Sequence, residues 1–221
     1  MNKKKTFVLA VLVILVALIS TSTLAWFSAT DKVENDFLIA GSESGEADDI
    51  FSVDVYEFID GVRDEDGYEY ENILPGANLS KDVFVENTGA YDQYVRVEVT
   101  ISNKDAWLAA AAKYGFEVTD CLVGYDPTLW AHVWNNLTEQ PNAEDIVYVL
   151  YYIDELAKGE KINVFNSVKI PTQLTQEDAA LFEGGFSINV VATAVQTENV
   201  GAEGVAQEDK AWTAFNYVAN N

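Results

Sequence analysis

The chain carries one histidine, one cysteine, one methionine and four prolines in 221 residues, and only 13 basic side chains against 36 acidic ones. Each shortage excludes chemistry. One cysteine cannot close an intramolecular disulfide, and one histidine with one cysteine cannot build the usual zinc sets. HExxH is excluded by the histidine count alone, and neither GxSxG nor GxGxxG occurs. A Cys–His nucleophile reduces to one pairing: Cys121, in TDCLVGY, with His132, in WAHVW. A partly buried thiol and a packing or surface imidazole are the expectations there. Residues 26–221 hold ten basic and 36 acidic groups, a balance of −26. That charge repels phosphate backbones and excludes nucleic acid as a partner. With so many acids, chance carboxylate pairs are certain, so they carry no glycosidase reading.

Long apolar runs are confined to one. MNKKK is a short basic start, residues 6–20 (TFVLAVLVILVALIS) are uncharged and apolar, and small polar residues follow in STSTLA (20–25). This is the three-part pattern of a cleavable export signal, with Thr23 and Ala25 at the −3 and −1 positions and Trp26 as the first mature residue. Fifteen apolar residues fall short of the roughly 20 that span a bilayer. Residues 1–25 therefore read as a signal helix and 26–221 as one secreted domain, its contact with the membrane ending at cleavage; the alternative reading of the same run is an uncleaved N-terminal anchor. The signal peptidase is its partner during export. No LPxTG motif is present.

Within 26–221 the period-two pattern dominates. In YVRVEVTI (94–101), Val95, Val97, Val99 and Ile101 lie on one face and Tyr94, Arg96, Glu98 and Thr100 on the other. FSVDVYEF (51–58), KDVFVEN (81–87), NVFNSVKI (163–170) and FSINVVATAVQ (186–196) read as further strands, as does DFLIA (36–40). IVYVLYYI (146–153) is apolar on both faces, the mark of a central strand. The polar NTGAYDQ (87–93) predicts a hairpin between 81–87 and 94–101. About seven short strands with turn punctuation predict an all-β sandwich. Helix is secondary: 103–115 ends at Gly115, 127–134 starts at Pro127, and 208–219 places Ala211, Trp212, Phe215 and Val218 along one face.

Two segments are candidate functional sites. RDEDGYEYE (63–71) gathers Asp64, Asp66, Glu69 and Glu71 around Gly67, hard oxygen ligands in a turn that suit weak calcium binding. The spacing departs from the EF-hand loop, whose first Asp would fall on Val62, so a solvated hairpin tip is the expectation. No other cofactor is expected. The second is residues 26–44, read as an extended segment. Trp26 and Phe27 at a free end, with Phe37 and Ile39 behind them, leave large apolar groups that gain roughly 1.5–3 kcal/mol each on burial. They can fold back on their own domain or add as a strand to a neighbour's sheet edge.

The order of short motifs resembles a known family. LAWFSATDKVENDFLIAGS (24–42) is similar to the signal junction of Firmicute proteins cut by a dedicated alternate signal peptidase, through Ala25, Trp26, Phe27, Asn35, Phe37 and Gly41. ILPGANLSKDVFVENTGAYDQYVRVEV resembles the next segment of that family through Pro75, Gly76, Lys81, Asn87, Gly89, Tyr94, Val95 and Arg96. Tyr151, Tyr152, Gly159 and Pro171, then Ala194, Val195 and Gln196, resemble its later strands. The family is that of biofilm matrix fibre proteins and camelysin-like proteins. The resemblance implies an Ig-like or jelly-roll sandwich in the matrix or on the surface of a Gram-positive bacterium. The expected role is structural and non-enzymatic, self-association into fibres or a layer. Two alternatives stand beside it: a camelysin-like surface metallopeptidase, and a monomeric surface-binding module or adhesin. The single histidine weighs against the first.

Overall fold

Alternating apolar residues become strands here because two antiparallel sheets bury their apolar faces against each other. The computed structural model describes residues 28–33, 52–64, 68, 70, 73–140, 143–182 and 185–220. One sheet, A, runs in the order β1 (Ser28–Val33), β10 (Ile188–Gln196), β5 (Gln93–Ile101), β8 (Ile146–Tyr152), β7 (Trp130–Asn135). The other, B, runs β3 (Val62–Asp64), β2 (Val53–Ile59), β4 (Asn78–Asn87), β9 (Lys161–Lys169), β6 (Leu122–Val123). Between them Val95, Val97 and Val99 of β5 join Val53 and Val55 of β2, Val83 and Val85 of β4 and Val164 of β9 in one core. The expected all-β sandwich with a few short helices is what the chain forms.

Helices fill in around the sheets. α1 (Lys104–Tyr114) follows β5, ends at Gly115 in the left-handed conformation, and buries Trp107 against the edges of Phe182 and Phe186. A short α2 (Gln176–Ala179) leads toward β10. α3 (Gln207–Asn220) lies on the outer face of sheet A, where Ala211, Ala214 and Phe215 pack with Tyr94, Val195, Val200 and Ala202 in a second cluster. This explains why Tyr94, on the polar side of its strand by alternation, is buried. Trp212 departs from the expected apolar face: it is 43% exposed and stacks on His132 instead.

Two further expectations are corrected. β4 and β5 do not form a hairpin: β4 pairs with β2 and β9 in one sheet, β5 with β10 and β8 in the other. Residues 88–92 arch from sheet to sheet. The helix expected over 127–134 is one 3₁₀ turn, Pro127–Leu129, after which Trp130–Asn135 is a strand. Asp126 Oδ1 accepts from the Thr128 amide and caps that turn, but the open edge of β8 offers the following residues a ladder that local propensity does not foresee. The sequence also holds an overlooked hairpin: Asp60 and Gly61, both at positive φ, join β2 to β3 as a two-residue turn.

The arch is fixed by Asn87. Its Nδ2 donates to the carbonyls of Tyr91 (2.8 Å) and Leu156 (2.7 Å). Its Oδ1 accepts from the Gly89 amide (3.0 Å) and from Gln93 Nε2 (2.7 Å). Its backbone amide donates to Glu160, and its carbonyl accepts from Gly159. Gln93 Nε2 also reaches the Ser52 carbonyl, and the Gln93 backbone exchanges two bonds with Leu156. Both side chains are fully buried, so each bond lost leaves a polar group stranded. Asn87→Ala is expected to lower stability by about 3 kcal/mol, read as a fall in the urea midpoint with an unchanged slope. A shift no larger than that of an average surface substitution would disprove the staple.

Candidate functional site

The strand nearest the expected signal-cleavage point lies on a sheet edge. β1 pairs antiparallel with β10, with Ser28 opposite Val195 and Val33 opposite Val190. Its first residue is three positions beyond Ala25. Six residues of backbone thus close the outer side of β10, whose other side is laddered to β5 from Ile188↔Ile101 to Gln196↔Gln93. Without β1, β10 would present a row of open backbone donors and acceptors. Of the two arrangements weighed for this segment, residues 28–33 take the one within their own chain. Thr23, Ala25, Trp26, Phe27, Phe37 and Ile39 lie outside the described residues, as do the strand expected at 36–40 and the remainder of 26–44.

The opposite edge of sheet A is built differently. In β7 one extra residue is inserted between Ala131 and Trp134, opposite Tyr151 and Val149 of β8. His132 sits in that bulge at φ 47°, a conformation rare for a side-chain-bearing residue. Its Nε2 lies 2.6 Å from Asp209 Oδ1, and its ring stacks on Trp212 at 4.8 Å and 18°. Both partners belong to α3. α3 is also tied to the segment after β8, where Gln207 Nε2 donates to Ile153 and Asp154 and Lys210 Nζ to Glu155. The edge is therefore bent and covered. The histidine was visible in the sequence, but its partners, 77 and 80 residues away, were not.

At the tip of sheet B, Asp64 ends β3 directly opposite Glu57 of β2. Asp66, Glu69 and Glu71 of the calcium candidate lie outside the described residues. Among the described residues, no three His, Cys, Asp or Glu side chains are grouped to hold a metal ion. Glu57 is a functional candidate that alternation missed, because it occupies an apolar position. It follows Val53 and Val55 on the inner face and is 1% exposed. Lys81 of β4 pairs with its Oε2. Cys121 is buried, and desolvation, then the Asp120 charge, pushes its thiol up to about 11, which makes it a poor nucleophile at neutral pH. Comparison of the chain with family models, with curated proteins and with solved structures returns no match.

One polar cluster ties α1 to the loop before β10. The Asp178 carboxylate accepts from Lys113 Nζ (2.7 Å), Tyr114 Oη (2.6 Å), and the Thr175 amide (2.7 Å) and hydroxyl (2.8 Å). These bonds, the Lys113 one foremost, hold its carboxyl well below the usual carboxylate range. A depressed carboxyl contributes stability above its unfolded value, about pH 4, and loses it as pH falls further. Asp178→Asn is therefore expected to lower the melting temperature at pH 7 and to narrow the gap to wild type toward about pH 2. A gap independent of pH would show that the carboxylate charge contributes nothing.

Proposed function

We propose that this chain is a secreted structural subunit of the biofilm-fibre and camelysin-like family, whose work is self-assembly into extracellular fibres or a surface layer. The observation that carries the reading is the position of β1. A six-residue edge strand begins three residues beyond the expected cleavage point and fills a long, fully laddered partner, β10. A strand so placed is the natural unit of exchange. Residues 28–33 of one molecule can occupy β10 of the next in the same register, because donor and acceptor sequences are identical. Passed head-to-tail from each molecule to the next, such a contact gives a filament, whereas a reciprocal exchange between two molecules would close as a dimer. Backbone bonds are conserved in the exchange, so the balance is set by burial of the flanking aromatics Trp26 and Phe27 and by the concentration of neighbours.

Signal removal acts as the switch. Three residues extend over only about 10 Å, so a leader still held in the membrane restrains the segment that must leave its own edge. Charge opposes assembly: each subunit carries −26 over residues 26–221. Salt at physiological strength shortens electrostatic reach to about 8 Å, and divalent cations shorten it further, so association is favoured by both.

The mature protein is expected to form filaments by electron microscopy and to sediment as large species as concentration and calcium rise. A form beginning at Gly45, lacking residues 26–44, is expected to remain a small particle in both measurements. Filaments from that shortened form would end the strand-exchange reading. A wild-type protein that stays a single particle under every condition would favour the monomeric binding module.

A further inference from the structure

Glu57 and Lys81 form an ion pair where the strand pattern calls for two apolar residues. Glu57 lies opposite Val83 in the β2–β4 ladder, and Lys81 is two residues before Val83. Their side chains are 1% and 13% exposed. Lys81 sits where the β4–β9 register shifts between Ser80 and Val83, a bulge that re-aims side chains. Only one carboxylate oxygen is used. Glu57 Oε2 receives Lys81 Nζ, whereas Oε1 is buried with no hydrogen-bond partner among the described residues. Tyr70 stands beside them, its hydroxyl donating to the Ser80 carbonyl and burial, then the Glu57 charge, raising its phenol. An ion pair that is desolvated and half-satisfied is a costly feature to keep as charges.

We propose that Lys81 and Glu57 condense into an isopeptide bond that cross-links β2 to β4. The atoms balance within the pair. After proton transfer from the ammonium to the carboxylate, the Nζ lone pair attacks Cδ of Glu57. The C–N bond forms, a C–O bond breaks, and the leaving oxygen departs as water with two of the three ammonium hydrogens. The third stays on the amide nitrogen. No oxidant, reductant or added group is needed. Burial favours the product in two ways: both charges vanish, and the water required for the reverse step is excluded. The bond closes the chain between residues 57 and 81, a covalent restraint on the unfolded state in a protein whose single cysteine provides none.

The test is intact mass spectrometry of the folded, purified chain, its termini fixed by the terminal peptides of a digest. The expected mass is one water below that of the sequence. The tryptic digest should lack cleavage after Lys81 and contain a branched peptide joining the segments that hold Glu57 and Lys81. Lys81→Arg, which keeps the charge but cannot form this bond, should return to the full sequence mass. A wild type at full sequence mass overturns the proposal whether or not that variant folds. So does a water loss that maps to Asp60–Gly61 as a cyclic imide, or one that persists in Lys81→Arg. The measurement is made on single chains and is independent of whether the protein forms filaments.

Discussion

The molecule's topology turns on a single buried amide. Asn87 spends both Nδ2 hydrogens, both Oδ1 lone pairs and both backbone groups at the point where the chain leaves sheet B for sheet A. A short polar link between two antiparallel-competent strands would ordinarily fold back as a hairpin. Here a hairpin would take three of those six groups from their partners, Leu156, Glu160 and Gly159, which come from the segment after β8. The arch is thus chosen by polar satisfaction in a buried place rather than by the turn itself. Once β5 lies in sheet A, β10 can pair along its whole length, and the free side of β10 is what β1 closes.

This accounts for what the sequence made legible. The inward valines of β5 and the core of β2 follow from alternation, and the interior position of β8 from its being apolar on both faces, because each strand's pattern is written in its own residues. α1 was legible through its alanine run and Gly115, both local. What escaped was set between distant segments. Trp130–Asn135 is a strand because β8 has an edge to offer, and its own residues carry only the Pro127 signal that ends three positions in. Glu57 was hidden for the opposite reason: alternation assigned its position to the core correctly, and the charge could be explained only with Lys81, 24 residues on. The Asp60–Gly61 turn was local and readable, but its neighbourhood of acids drew attention to ligands instead of backbone.

The two edges of sheet A are treated asymmetrically, and the asymmetry bears on the candidate site. At β7 the bulge, the strained His132 and the covering helix α3 together remove the flat, regular ladder that another strand would need. At β10 nothing is bent: the pairing with β1 is continuous from Ser28 to Val33 without a register shift. A protein that only had to avoid association would gain from blunting both edges. Blunting one and filling the other with a terminal strand leaves sheet A, among the described residues, one regular edge pairing, that of β1 with β10. The fold therefore discriminates between edges by backbone geometry, and the large acidic charge adds a second, salt-dependent barrier against unspecific contact.

The same division separates what holds the subunit together from what it presents. The sandwich core is aliphatic and continuous across both sheets, and α3 adds its own buried cluster on the outside of sheet A through Phe215, which packs on Tyr151 and lies beneath the Arg96 guanidinium. β1 is not confined to its edge ladder, since it also approaches β2 of the other sheet. Without β1, the pairing of β10 with β5 would remain, and Val190, Ala192 and Ala194 belong to the core shared by both sheets. The proposed exchange of β1 therefore has to replace its approach to β2 as well as its ladder on β10, while the β10–β5 pairing that receives it stays in place.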